Sequence, residues 1–319
     1  MKTSRRLFVL RLALAVLGVA LAIAVPARIG FTTVLASVRP ALSVLPLCVA
    51  CELVRVFCEA CATRLALGRT VPHGPMLLAH LGSYAAGTVF PAPRPAAEAV
   101  KTSVLGEYVG VPEAASAGAT MQAATFFAVG SMCLLAGLTT LGTKLSWVLF
   151  GNTAMLFATG LLLRVVMRSA RAVRWIQGRW PRRAETLGRL HAVARTGHVL
   201  ALGPSGFLLL SLFVRVFEQY FITRSMGGAP SVLGAISAEG VRLIGASVGV
   251  LVPGQLGVRE AIFAMSADAL GTTVAKATAI AVFTHVVELS LALIGFVALL
   301  FFRPRTPLVT PDRPPVTPG

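Results

Sequence analysis

Eight apolar runs, most of them near the length of a bilayer crossing, follow one another along this chain of 319 residues. They lie at 7–25, 41–67, 73–90, 114–141, 145–167, 199–223, 231–252 and 274–302. A helix that spans about 30 Å of hydrocarbon needs roughly 20 such residues. Only 13% of the chain is charged, against about 25% in ordinary soluble domains. The succession predicts an all-α, polytopic helical membrane protein with about eight spans. A membrane β-barrel would need alternating segments of about ten residues, and the sequence has no such rhythm. Two shorter, mixed stretches, 94–108 and 254–269, interrupt the pattern.

The net charge is +17. In a membrane chain such an excess marks cytoplasmic loops and contact with anionic lipid. No basic module interleaved with aromatics is present, so nucleic acid is excluded as a partner. The densest basic segment, 168–198, is expected to be a cytoplasmic loop, and both termini are placed on the same side. Lys2, Arg5 and Arg6 precede the first run, which reads as an uncleaved helix in a bacterial cytoplasmic membrane. The Pro-rich tail 303–319 is expected to be disordered. Residues 1–302 then form a single transmembrane domain.

These anchors fix the parity of the crossings. The stretches 73–90 and 94–108 leave from the cytoplasm and return to it, so they form a hairpin. By the same count 231–252 and 254–269 form a hairpin from the external side. Pro91, Pro253, Gly254 and Gly257 are the expected hinges. Whether each hairpin is re-entrant or fully crossing stays open.

The two halves resemble each other. LVRVFCEACATRLALG (53–68) aligns with FVRVFEQYFITRSMGG (213–228) at a constant offset of 160, and Pro91 and Glu98 align with Pro253 and Glu260 at 162. Repeats are expected at 41–167 and 199–302. Under the topology above they run in opposite directions, an arrangement that recurs in secondary transporters built around interrupted helices.

Charges inside the spans are costly and normally face a bundle interior or a wet cavity. Glu52, Arg55 and Glu59 fall on one helical face, and Arg55 can pair with both acids. Arg215 with Glu218 is the counterpart in the second half. His285 and Glu288 share a face of the last span, and His80 lies in the first hairpin. Buried ion pairs that hold helices in register, or histidine–carboxylate hydrogen bonds, are the plain readings. Contact with a headgroup, and weak proton or ion coupling through His285, Glu288 and His80, are the functional ones. Glu239 and Arg242 are expected at a membrane interface.

The stretch PGQLGVREA (253–261) breaks an apolar run with a Gly-rich kink followed by Arg259 and Glu260. A helix restarting there points unpaired N–H groups at the kink, which favours an anion. Glu260 satisfying that helix end itself is the competing reading. No phosphate-binding nucleotide loop is present, and no cofactor is expected. The pairs Cys48/Cys51 and Cys58/Cys61 lie along one apolar helix, so four thiols spread over about 20 Å cannot converge on one metal ion.

PGQLGVREAIFAMSADALG resembles the second signature of the transmembrane domain of the lysylphosphatidylglycerol synthase family, the flippase-like integral membrane proteins. The upstream LGSYAAGTVFPAPRPAAEAVKTSVL is similar to the first signature: Pro91, Arg94 and Glu98 are kept in kind, while Ala97 replaces a glycine and Gln122 lies near a usual arginine. The resemblance covers roughly 40–302. It implies translocation of a lipid or lipid-linked molecule between leaflets, or an accessory, non-transporting role beside lipid, hopanoid or glycolipid biosynthesis enzymes. It also implies membrane lipids as partners, with an anionic or phosphate-bearing headgroup. The residues expected to meet it are Arg259, Glu260, Arg94, Glu98, Arg55, Arg215, Glu59 and Glu218. The chain stops shortly after its last span, so no aminoacyl-transferase domain and no enzymatic activity are expected.

Overall fold

The computed structural model describes residues 27, 30–68, 71–89, 93–179, 201–228, 231–250, 252 and 255–301. The expected first span 7–25, the tail 303–319, most of the basic segment, the hinges Pro91, Pro253 and Gly254, and the side chain of Arg94 lie outside them. The described residues are helical and contain no strand.

A short helix α1 (Phe31–Val38) and a 3-10 turn (Arg39–Val44) lead into α2 (Leu45–Leu67). Pro46 starts α2 without losing a hydrogen bond, and Gly68 ends it with φ 61°, its N–H bonded to the Arg64 carbonyl. The first hairpin is α3 (His73–Val89) and α4 (Pro93–Val109). Gly110, at φ 92°, turns the chain into the long α5 (Val111–Thr139), which pairs with α6 (Lys144–Arg168). The segment read as a basic loop contains a helix, α7 (Ala170–Arg179), with Trp175, Arg171 and Arg174 exposed. Its residues are good helix formers, and an amphipathic helix of this kind suits a membrane surface.

The second half repeats the order. It runs α8 (Leu202–Ser225), α9 (Val232–Val248), the eight-residue α10 (Val258–Met265) and α11 (Val274–Leu300). Ser231 and Thr273 cap α9 and α11 by accepting from the N–H groups of Gly234 and Lys276.

Five segments have the length and apolarity to cross a membrane: 31–67, 111–139, 144–168, 202–225 and 274–300. The remaining hairpin helices are shorter. A 17-residue helix such as α3 or α9 is only about 26 Å long.

Packing is paired across the halves. α2 lies along α8; α3 packs on α11, and α9 packs on α5. Small residues let these helices approach closely. A β-carbon on Gly295 would stand 2.2 Å from the Leu81 carbonyl oxygen, and one on Gly240 would stand 2.4 Å from the Ala136 β-carbon. One apolar core draws on both halves, from Cys48 and Met132 to Phe263 and Phe283. The outer surface is apolar too, with Trp147, Leu162, Phe217 and Leu293 exposed, as lipid contact requires.

Candidate functional site

Charged side chains that the sequence scatters over the spans meet in the middle of this bundle. Arg55 on α2 donates through Nε (3.0 Å) and Nη2 (2.7 Å) to Glu52, and through Nη1 to Glu59. Its guanidinium also lies 4.6 Å from the centre of the Tyr84 ring. The expected pairing of Arg55 with both acids is thus what the helix builds. Glu59 accepts from Tyr84 at 3.2 Å and faces His80 Nδ1 at 3.6 Å, while His80 Nε2 meets Thr63 at 2.9 Å.

Arg215 on α8 does not spend its donors on Glu218, its neighbour along the helix. Nη2 reaches Glu52 of α2 at 2.9 Å, and Nη1 reaches Glu288 of α11 at 3.1 Å. The other oxygen of Glu288 accepts from Arg259 Nη1 at 2.9 Å, and Arg259 Nη2 donates to Gln255 at 2.7 Å. His285 stands between Glu260 (3.2 Å from Nε2) and Glu288 (3.7 Å from Nδ1). An unbroken chain of ion pairs therefore runs from Glu59 through Arg55, Glu52, Arg215 and Glu288 to Arg259.

The local chain explains the Arg259 end. Gly257 adopts φ 75° and turns the backbone into α10, while Gln255 carries φ 57°, unusual for a residue with a side chain. The kink brings the Gln255 amide back onto the guanidinium four residues later.

A cavity of about 510 Å³ opens beside this chain and is lined from both halves. That volume lies within the range of small-molecule sites, about 300–1,000 Å³. The wall carries Arg55, Glu59, His80 and Glu98 from the first half, and Arg215, Arg259, His285 and Glu288 from the second. Eight of the residues singled out by sequence thus share one cavity.

Others fall elsewhere. Glu218 is buried behind the wall, and Glu260 sits against His285, away from the opening. Glu98 pairs with Lys101 at 2.5 Å and lies so close to α5 that a β-carbon on Gly118 would stand 2.8 Å from it. Arg94 lies in the first turn of α4.

Lys101, Tyr84, Gln122, Gln255 and Arg242 line the cavity as well and were not among the sequence candidates. Glu239 and Arg242 are not interfacial: both are buried within α9, paired at 2.5–2.7 Å. Two donors in the wall, Arg259 Nε and Gln122 Nε2, have no hydrogen-bond partner among the described residues. Buried donors left in this way are costly, and an acceptor in the cavity would satisfy them.

Among the described residues no three histidine, cysteine or acidic side chains are grouped to hold a metal. The five cysteines are free; Cys48, Cys58 and Cys133 are buried.

The chain matches, over residues 8–295, the family model described as the lysylphosphatidylglycerol synthase TM region. It belongs to that family. The protein is accordingly a membrane protein of a lipid-metabolism family. Comparison with curated proteins and with solved structures finds no match.

Proposed function

We propose that this member of the lysylphosphatidylglycerol synthase transmembrane family moves a lipid with a phosphate-bearing headgroup between leaflets through the central cavity. One observation carries the reading. The cavity wall presents five cationic side chains against three carboxylates, Glu59, Glu98 and Glu288. The further acids Glu52, Glu218, Glu239 and Glu260 are buried behind it. Cations therefore face the space, and their compensating charge is set back, which suits an anion entering a low-dielectric site.

An inverted repeat gives this cavity two exits. The matched packing of α2 with α8, α3 with α11 and α9 with α5 supports two equivalent halves. The parity of crossings sets them in opposite directions, with the basic segment and both ends of the chain on the cytoplasmic side of a bacterial inner membrane. Exchanging the conformations of the halves would turn a cavity open to one leaflet into one open to the other.

The test is a vesicle assay with the full chain reconstituted beside tail-labelled fluorescent phosphatidylglycerol, read by quenching of the outer leaflet. The wild type should equilibrate the label faster than protein-free vesicles. Arg259→Gln should slow this by about ten- to a hundredfold, the loss of one charge-assisted contact. Glu260→Gln, behind the wall, should slow it less. A wild type no faster than empty vesicles overturns the reading.

A further inference from the structure

Glu288 bridges two arginines in the cavity wall. Its two carboxylate oxygens divide between two guanidiniums from different helices, Oε1 to Arg215 Nη1 at 3.1 Å and Oε2 to Arg259 Nη1 at 2.9 Å. Bridging two arginines through two oxygens is the geometry by which a phosphate is ordinarily clamped. Glu288 lines the cavity, and its side chain is 21% exposed, whereas those of its two arginine partners are 4% and 3% exposed. It is thus the most accessible member of this clamp. Arg259 Nε, on the edge it shares with the Nη2 that donates to Gln255, has no partner among the described residues. An entering anion gains the donors that Glu288 gives up.

We infer that an incoming phosphate ester displaces Glu288 from Arg215 and Arg259, and that Glu288 takes up one proton as it is displaced. The proposal rests on the reading of the cavity as a phosphate-headgroup site, and it names how that site balances charge. Two guanidiniums that shared one carboxylate now hold one phosphate diester of the same charge. The released carboxylate would otherwise stand uncompensated inside the membrane, which is expensive. Protonation removes that cost: the carboxylate plus a proton from water becomes a carboxylic acid, no bond to carbon changes, and the site's net charge is the same before and after. When the anion leaves, the proton leaves with it, and Glu288 closes the clamp again.

The surroundings supply a route and no substitute partner. His285 is 3.7 Å from Glu288 on one side and 3.2 Å from Glu260 on the other, so an imidazole stands where a proton arrives. The helices packed against α11 present the other charges. These are Glu52, Arg55 and Glu59 from α2, His80 from α3, Glu218 from α8, and Glu260 beside Arg259 from α10; α1 brings none. Arg55 is already held by Glu52 and Glu59, Arg242 by Glu239 and Lys101 by Glu98, so the other cations that line the cavity are each paired before the carboxylate is displaced.

Isothermal titration calorimetry of the full chain in an uncharged detergent tests this, with dihexanoylphosphatidylglycerol as one probe and inorganic phosphate as the other. Each titration is run in buffers of different ionisation enthalpy, which reads protons taken up per anion bound. The wild type should take up close to one proton per diester, and its affinity should fall about tenfold per pH unit as the pH rises above the point where Glu288 has lost its proton. Glu288→Gln should bind about tenfold more tightly at high pH, with no uptake and little pH dependence. Arg215→Gln should bind at least tenfold more weakly. A diester that binds while phosphate does not assigns the clamp to a lipid headgroup; the reverse assigns it to the free ion, and both support the exchange provided one proton accompanies the anion. Binding to the wild type without proton uptake overturns it, as does uptake that persists in Glu288→Gln, or no binding of either probe. Because uptake is read on the wild type, a variant that fails to fold leaves the test intact. Failure of lipid movement in vesicles with proton-linked binding intact would sink transport and leave the exchange standing.

Discussion

At the scale of single residues, the charges of this protein divide into those that hold the bundle and those that face its cavity. Glu52 belongs to the first group. It is fully buried, accepts from Arg55 on its own helix and is ion-paired with Arg215 on another. Removing one partner of a buried ion pair leaves the other uncompensated, at a cost of about 3–5 kcal/mol. Glu52→Gln should therefore lower the thermal midpoint of the detergent-solubilised protein sharply. Glu98→Gln changes a carboxylate that is 37% exposed and should move stability by no more than about 0.5 kcal/mol, as surface substitutions do. Equal midpoints for the two variants would remove the distinction. The residues themselves were largely legible: a charge inside an apolar run stands out by its expense. Their partners were not. Arg215 finds Glu52 across most of a repeat, and Arg259 finds Glu288 across two elements. Neighbours along one helix can be read from spacing, as Arg55 with Glu59 was, but a partner on another helix depends on how the helices cross. Tyr84 escaped notice because a single polar residue without a charged neighbour carries no local signal, while the part Lys101 and Gln255 play depends on which helices close around the cavity.

At the scale of elements, the apolar runs mark seven of the eleven described helices, α2, α3, α5, α6, α8, α9 and α11, since length and hydropathy suffice when lipid is the solvent. What they did not give is the depth of the hairpins. Five of the expected spans correspond to segments of full crossing length, whereas α3, α4, α9 and α10 are shorter. Nor does an apolar run show where helices touch. Gly295 is one of several glycines in these segments, and only the fold reveals that α3 passes directly over it. A side chain there must push back a backbone carbonyl 2.2 Å away, and main chain yields less readily than a rotamer. Gly295→Ala should cost about 1–3 kcal/mol by overpacking, and the larger Gly295→Leu should prevent folded protein from being recovered. Gly151 offers the control: nothing lies within 4 Å of its would-be β-carbon, so Gly151→Ala should be neutral or slightly stabilising through helix propensity. Thermal unfolding of the two alanine variants, with the yield of folded Gly295→Leu, separates tight packing from a general intolerance of substitution.

At the scale of the whole molecule, the decisive quantity is direction. Two halves with the same order of elements can build a cavity whichever way they lie, but only opposed halves give it an exit to each leaflet by exchanging conformations. The cavity draws the same type of group from equivalent places, Arg55 from α2 and Arg215 from α8, yet their surroundings differ. Arg55 keeps its acids on its own helix, whereas Arg215 reaches out to α2 and α11. Under the proposed exchange of conformations, such asymmetry would mark one of the two states, with one half clasped and the other set apart. The ends of α2 and α8 offer the direct measurement, because Gly68 and Gly228 align between the two halves of the sequence and follow their helices closely. Short epitopes inserted after each, in separate full-length proteins, should be reached by antibody from opposite sides: after Gly68 only in inverted vesicles, and after Gly228 only in intact cells stripped of outer barriers. Loop insertions of this kind are usually tolerated. Epitopes that read from the same side would make the halves parallel, and exchange between them could then no longer carry a headgroup from one leaflet to the other.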